Sequence, residues 1–202
     1  MKKELLILSF IFMMMALPFC AQAQNKGYEK SIELNGGIPI DKYSKYSLGI
    51  TMMNGYRFND FFYLGAGVGY EYFNALYYTS YEYLGRGRSN SYSDYYGKNM
   101  LRLFARVKVN LTKTKVSPYF AGDIGYAIDF NTNEYATTSG LMFEPQFGID
   151  FKLPENIGLY IAVGYRGQQN NYNRHVLTYG ETGSSKENVL AELIDIKFGI
   201  KF

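Results

Sequence analysis

Tryptophan is missing from this 202-residue chain, and cysteine and histidine occur once each. The single Cys20 lies in an apolar stretch near the start, so the rest of the chain can form no disulfide and offers no thiolate to a metal. His175 has no second imidazole to complete a zinc site. Phosphate-cradling glycine loops and His–Glu metal motifs are absent as well, and no cofactor is expected. No apolar run after residue 23 is long enough for a membrane helix. Neither sign of charge dominates: 21 Lys and Arg face 18 Asp and Glu, which gives no reason to expect nucleic acid as a partner.

Aromatic residues are plentiful instead, with 21 tyrosines and 15 phenylalanines. At the N-terminus, Lys2 and Lys3 precede the apolar "LLILSFIFMMMALPF" and then "AQA" at 21–23. This is the pattern of a cleavable signal peptide over residues 1–23, leaving 24–202 as a single domain. A retained membrane helix fits less well, because the apolar run is short. Phe19 before Cys20 is a poor match to a lipoprotein signal.

The remaining chain alternates with a period of two, the mark of strands with one apolar face. In "LRLFARVKVNL" (101–111), Leu101, Leu103, Ala105, Val107 and Val109 stand opposite Arg102, Phe104, Arg106 and Lys108. "YLGAGVGYEY" (63–72), "AGDIGYAIDF" (121–130), "LYIAVGYRG" (159–167) and "IDIKFGIKF" (194–202) behave alike. Eight strands are predicted, near 28–38, 44–58, 61–74, 98–111, 118–130, 140–152, 157–168 and 189–202. Short turns follow strands two, four and six; the long connections 75–97 and 169–188 follow strands three and seven. An even strand count with all the length at one end is the pattern of a transmembrane barrel.

A soluble barrel would also alternate, with its apolar face inside. Volume decides. The apolar faces carry roughly thirty-five large side chains, whereas an eight-stranded barrel is only just wide enough to be filled by side chains. The opposite face is rich in small residues such as Gly55, Gly65, Gly67, Gly125, Gly148 and Gly199, which suit a crowded interior. The bulky face therefore looks outward at lipid. The fold class is all-β: an eight-stranded antiparallel up-and-down transmembrane barrel, expected to be monomeric. Pro145 within strand six predicts a bulge. Glu192, on the lipid side, must lie near the headgroups.

"IDIKFGIKF", with Phe198, Ile200 and Phe202 ending on an aromatic, resembles the C-terminal signature that the barrel-assembly machinery recognises in bacterial outer-membrane proteins. The chain from 24 onward is similar to the small barrels of the OmpX type and the membrane domain of OmpA, known as outer membrane beta-barrel or porin family proteins. That resemblance implies the outer membrane of a Gram-negative cell and contact with outer-membrane lipids and lipopolysaccharide.

The same register points eight acids inward: Glu29, Glu33, Glu71, Asp123, Asp129, Glu144, Asp150 and Asp195. It also points eight bases inward: Arg57, Arg102, Arg106, Lys108, Lys152, Arg166, Lys197 and Lys201. A selective pore favours one sign of charge, so balanced charge predicts a lumen plugged by ion pairs and water. A narrow channel for ions or small solutes is the alternative. A second alternative is a lipid-modifying barrel enzyme, but His175-Val176-Leu177 lacks the serine of a His-x-Ser pair, and catalysis is not expected. The most distinctive connection, 75–96, carries Tyr77, Tyr78, Tyr81, Tyr83, Tyr92, Tyr95 and Tyr96, with Arg86 and Arg88 near its tip. Tyrosine and arginine typify recognition surfaces, so a structural or surface-interaction role (adhesion or capture of an extracellular ligand) is expected. The two arginines also suit lipopolysaccharide phosphates.

Overall fold

The computed structural model describes residues 27–85, 88–130, 139–154, 157–178 and 181–202, with the side chains of 75–94 and 171–187 left out of that description. The expected signal peptide at 1–23 lies outside the described residues. Eight strands follow in order: β1 (Gly27–Pro39), β2 (Ser44–Arg57), β3 (Phe62–Gly85), β4 (Arg88–Asn110), β5 (Val116–Asp129), β6 (Gly140–Lys152), β7 (Gly158–Thr178) and β8 (Glu181–Lys201). Each pairs antiparallel with the next, and β8 returns to β1, closing a barrel. Closure removes the open edges that hydrocarbon could not satisfy.

The stagger of the barrel can be traced through partners. From Gly27 the ladder passes through Arg57, Tyr63, Lys108, Ala121, Gln146, Gly164 and Asp195, and returns to β1 at Gly37, ten residues further along. Such a shear tilts the strands and sets a narrow cylinder, whose inner face holds side chains and little else.

The outer wall is apolar from end to end. Leu34, Leu48, Ile50, Leu64, Phe120, Ile124, Val163 and Phe198 are all exposed, Ile124 to 68%. A continuous belt of this kind far exceeds the apolar patches that soluble monomers tolerate. Hydrocarbon is the solvent that suits it, so the barrel spans a membrane. Aromatic rings gather at both ends of the belt. Near the chain ends, Tyr28, Tyr56, Phe58 and Phe62 form a chain of contacts at 5.1–5.6 Å. At the opposite rim, Tyr46 meets Tyr72, and Phe143 meets Tyr165, each pair at 6.0 Å. These are the interfacial girdles of a membrane barrel.

Four strands run further than the alternation predicts. β3 and β4 continue to Gly85 and Arg88, and β7 and β8 to Thr178 and Glu181, so most of 75–97 and 169–188 is hairpin rather than loop. Both faces of these extensions stand outside hydrocarbon, so no period-two pattern marks them. The two hairpins also meet: Tyr78–Glu82 of β3 pairs in parallel with Asn173–Leu177 of β7. Within the wall these strands are separated by three others on either side, so the pairing spans the barrel mouth.

Pro145 does not make the expected bulge. The β6–β7 ladder omits the pairs at Glu144 and Pro145, then resumes at Gln146 with Gly164 in the register it had at Phe143 with Gly167. A missing donor has interrupted the ladder without shifting it. Glu192 does face outward, at the rim that carries the long hairpins: its carboxylate accepts the Tyr165 hydroxyl, and its backbone N–H donates to Asp41 Oδ2 at 2.7 Å.

Candidate functional site

Alternation carries the predicted charges into the lumen. Of the sixteen, all but Glu29 and Lys152 are buried, and those two are half-buried. Charge at this depth survives only if it is paired, because stranding one partner of a buried pair costs about 3–5 kcal/mol. The pairing is dense. Arg106 lies between Glu33 at 2.8 Å and Asp123 at 2.6 Å. Lys197 reaches Glu144 at 2.6 Å, Asp123 at 3.3 Å and Glu33 at 3.5 Å. Arg102 and Arg166 share Glu71, at 2.8 and 2.7 Å. Asp195 stands 3.3 Å from Arg166 and 3.9 Å from Arg102, which is equally far from Glu144.

These contacts join five carboxylates (Glu33, Glu71, Asp123, Glu144, Asp195) and four cations (Arg102, Arg106, Arg166, Lys197) into one network. Three of the four cations are arginines, whose planar fork can serve two acids at once. Asp150 belongs to a separate group nearer the end with the short turns, held by Lys108 at 2.8 Å, Lys201 at 2.9 Å and the Asn110 amide at 2.8 Å. Below it, Arg57 and Glu29 pair at 2.7 Å.

One buried cation was missed by the inward assignment. Lys98 pairs with Asp129 at 3.0 Å near the end that carries the long hairpins. Its even position on β4, in step with Arg102 and Arg106, was the available signal.

The lumen is also less polar than the charge pattern implies. Phe73, Met100, Ala127, Ala191 and Leu193 form a fully buried apolar cluster. Phe73, Met100 and Leu193 each lie two residues nearer the long hairpins than Glu71, Arg102 and Asp195 on their own strands, so the cluster lies on the hairpin side of the network. Toward the end with the short turns, Met53, Tyr63 and Phe104 form a second cluster, and Tyr119, Tyr160 and Ala162 a third. The Lys108 ammonium sits 3.9 Å from the Tyr119 ring centre, and the Tyr160 hydroxyl bonds Glu33 at 3.1 Å. The inner glycines make room for these rings: a Cβ on Gly148 would fall 2.5 Å from Tyr119. The aromatic residues share parity with the charges, so alternation placed them inside without showing that they cluster.

Of the expected recognition residues, Tyr95 and Tyr96 can be placed. Tyr96 is exposed, while Tyr95 donates its hydroxyl to the Lys42 carbonyl at 2.8 Å and lies beneath the Lys45 ammonium at 4.5 Å. The side chains of Tyr77, Tyr78, Tyr81, Tyr83, Arg88 and Tyr92, and all of Arg86, lie outside the described residues; their strands form the paired hairpins above the wall. His175 is on β7, its side chain likewise undescribed, with Ser184 of β8 and Ser80 of β3 as its backbone partners. At the other end of the chain, Phe198, Ile200 and Phe202 face outward, and the Phe202 backbone exchanges two hydrogen bonds with Lys30 of β1 at 2.9 and 3.0 Å. Among the described residues, no group of three or more His, Cys, Asp or Glu is arranged to hold a metal ion.

No family model matches this sequence, and no curated protein matches it. Solved structures do. The outer membrane protein OprG from Pseudomonas aeruginosa aligns over 91% of this chain and 99% of its own, with 14% identity and a TM-score of 0.57. The outer membrane protein AlkL, solved in lipid bilayers, aligns over 92% and 93%, with 10% identity and a TM-score of 0.53. Neisserial surface protein A covers 88% and 96% at 11% identity, with a TM-score of 0.49. At such identities the likeness to OprG and AlkL speaks of architecture, and it agrees with strand count, closure and the apolar outer belt: this chain has the fold of the small eight-stranded outer-membrane β-barrels.

Proposed function

We propose that this protein sits in the bacterial outer membrane as a closed barrel and works through its extracellular hairpins, binding extended polypeptide at the cell surface. The carrying observation is the sheet above the wall. There β4, β3, β7 and β8 lie side by side through the parallel β3–β7 pairing. Backbone bonding of β4 toward β5 reaches no farther out than Asn99, and that of β8 toward β1 no farther than Glu192. Among the described residues, Arg88–Tyr95 and Glu181–Ala191 thus each present one edge without a strand partner. Bare edges of this length invite strand addition, and natural proteins usually blunt them.

The layered lumen supports the other half of the reading. Paired charges fill the middle of the lumen, an apolar cluster lies above them, and the β3–β7 pairing crosses the mouth beyond it.

The test replaces residues 77–94 and 172–187 with two-residue Asn-Gly turns and compares the variant with the intact protein on cells. The barrel should still assemble, as a heat-dependent gel shift reports, while adhesion to host cells and matrix falls to background. Undiminished adhesion would sink the surface reading. In planar bilayers the intact protein should show no steady conductance; a stable open channel would favour the alternative of a narrow pore for ions or small solutes.

A further inference from the structure

The short β1–β2 connection carries a different kind of site. Alternation along β2 breaks once: Lys45 and Tyr46, though adjacent, are both exposed. The cause is a register shift between Ser44, opposite Ala75, and Tyr46, opposite Asn74, which leaves Lys45 as the extra residue. Bulges of this kind re-aim side chains. Here the bulge turns Lys45 onto the ring of Tyr95, with its ammonium 4.5 Å from the ring centre.

Lys42 is held nearby. Asp41 fixes the turn by accepting from the Tyr43 N–H at 3.0 Å and the Ser44 hydroxyl at 3.1 Å. The Tyr95 hydroxyl clamps the Lys42 carbonyl, and the Lys42 ammonium lies 5.4 Å from the Tyr43 ring centre. Asp41 is the adjacent carboxylate, but its other oxygen is taken by the Glu192 N–H. Among the described residues, no carboxylate pairs with either lysine. Two ammonium groups are therefore positioned by aromatic rings, with no carboxylate paired to them among the described residues.

Their depth indicates what the anion is. Tyr46 and Tyr72 beside them form the extracellular aromatic girdle, the level where hydrocarbon gives way to headgroups. We infer that Lys42, Lys45 and Tyr95 form a binding site for the phosphate of an outer-leaflet glycolipid. The inference rests on the outer-membrane placement proposed above but is independent of the hairpin edges. An aromatic face strengthens the hold on each cation without neutralising it, so the outward half of each ammonium remains available to phosphate oxygens.

The experiment reconstitutes the full mature chain in phosphatidylcholine vesicles containing a small fraction of bis-phosphorylated lipid A. Lipid retained after detergent extraction is then counted by native mass spectrometry. Lys42→Gln with Lys45→Gln should lower retention at least tenfold, whereas Lys113→Gln, at the periplasmic end, should leave it unchanged. Lys45→Arg should keep most of it, and Tyr95→Leu should lose part of it. Dephosphorylated lipid A should not be retained above background. Unchanged retention in the double glutamine variant, with folding verified by gel shift, overturns the site. So does displacement of the lipid by millimolar inorganic phosphate, which would mark a small-anion site instead. Loss of retention in Lys113→Gln alone would move the contact to the other leaflet.

Discussion

β3 passes through two surroundings without a break. From Phe62 to Asn74 its side chains alternate between lipid and lumen; from Ala75 to Gly85 it stays antiparallel to β4, with register shifts after Leu76 and Tyr83, but outside the membrane. The lower half has Leu64, Tyr70 and Tyr72 exposed on one face and Glu71 and Phe73 buried on the other. The upper half reads "ALYYTSYEYLG", with tyrosines at adjacent positions and no such division. A strand needs hydrogen-bonded partners, not an amphipathic sequence; the amphipathic pattern records the contrast between its two solvents. Where that contrast ends, the pattern ends and the strand does not.

If this comparison is right, damage below the girdle should cost far more than damage above it. Deleting residues 200–202 removes the pairs of Ile200 and Lys201 with β1 and β7, together with the Phe202–Lys30 exchange. Assembled barrel, measured by gel shift after membrane extraction, should fall by about tenfold or more, because an unclosed edge cannot remain in hydrocarbon.

Next in size is Arg106→Leu, which deprives Glu33 and Asp123 of their shared guanidinium. Urea unfolding in micelles should show a loss of about 3–5 kcal/mol. Growth of a selective conductance without loss of stability would contradict a plugged lumen.

A finer distinction lies within the network, where five carboxylates meet four cations. Glu71 is the close partner of both Arg102 and Arg166, so Glu71→Gln should cost about 2–3 kcal/mol. Glu144→Gln removes one surplus negative charge, and Lys197 keeps Asp123 and Glu33 within 3.3 and 3.5 Å. Its cost should stay below about 1 kcal/mol. Equal costs for the two would mean that the charge count does not govern the lumen.

The smallest effect is expected above the membrane. Ser80→Pro interrupts the β3–β7 pairing at its centre. Barrel stability should change by no more than about 0.5 kcal/mol, while amide exchange at 78–82 and 173–177 quickens.

The readability of the sequence follows the same division. Strand count, closure and the inward acids and bases were legible because lipid and lumen impose a period of two. The lateral meeting of charges was not: alternation says that Arg102 and Glu144 both face inward, but only the ten-residue stagger decides which cations reach which acids. Lys98 escaped because it lies at the end of the clean pattern, where "GKNM" gives no apolar alternation. Pro145 was recognised as a lost donor, yet its strand kept register through the pairing of Pro145 with Gly122 on its other side. The parallel β3–β7 pairing has no sequence signal of the kind used here, since it joins residues about ninety-five positions apart in two segments that both read as loops.

That same pairing has a consequence for the order of assembly. Tyr78 and Asn173 belong to hairpins from opposite walls, and each must cross the bilayer before they can meet. Ladders between neighbouring strands can grow one strand at a time, but the crossing at the mouth joins strands that are not neighbours in the wall and gains nothing until both tips have emerged. It is therefore a late step, and protection of the 78–82 amides from exchange would time the moment when translocation of both hairpins is complete.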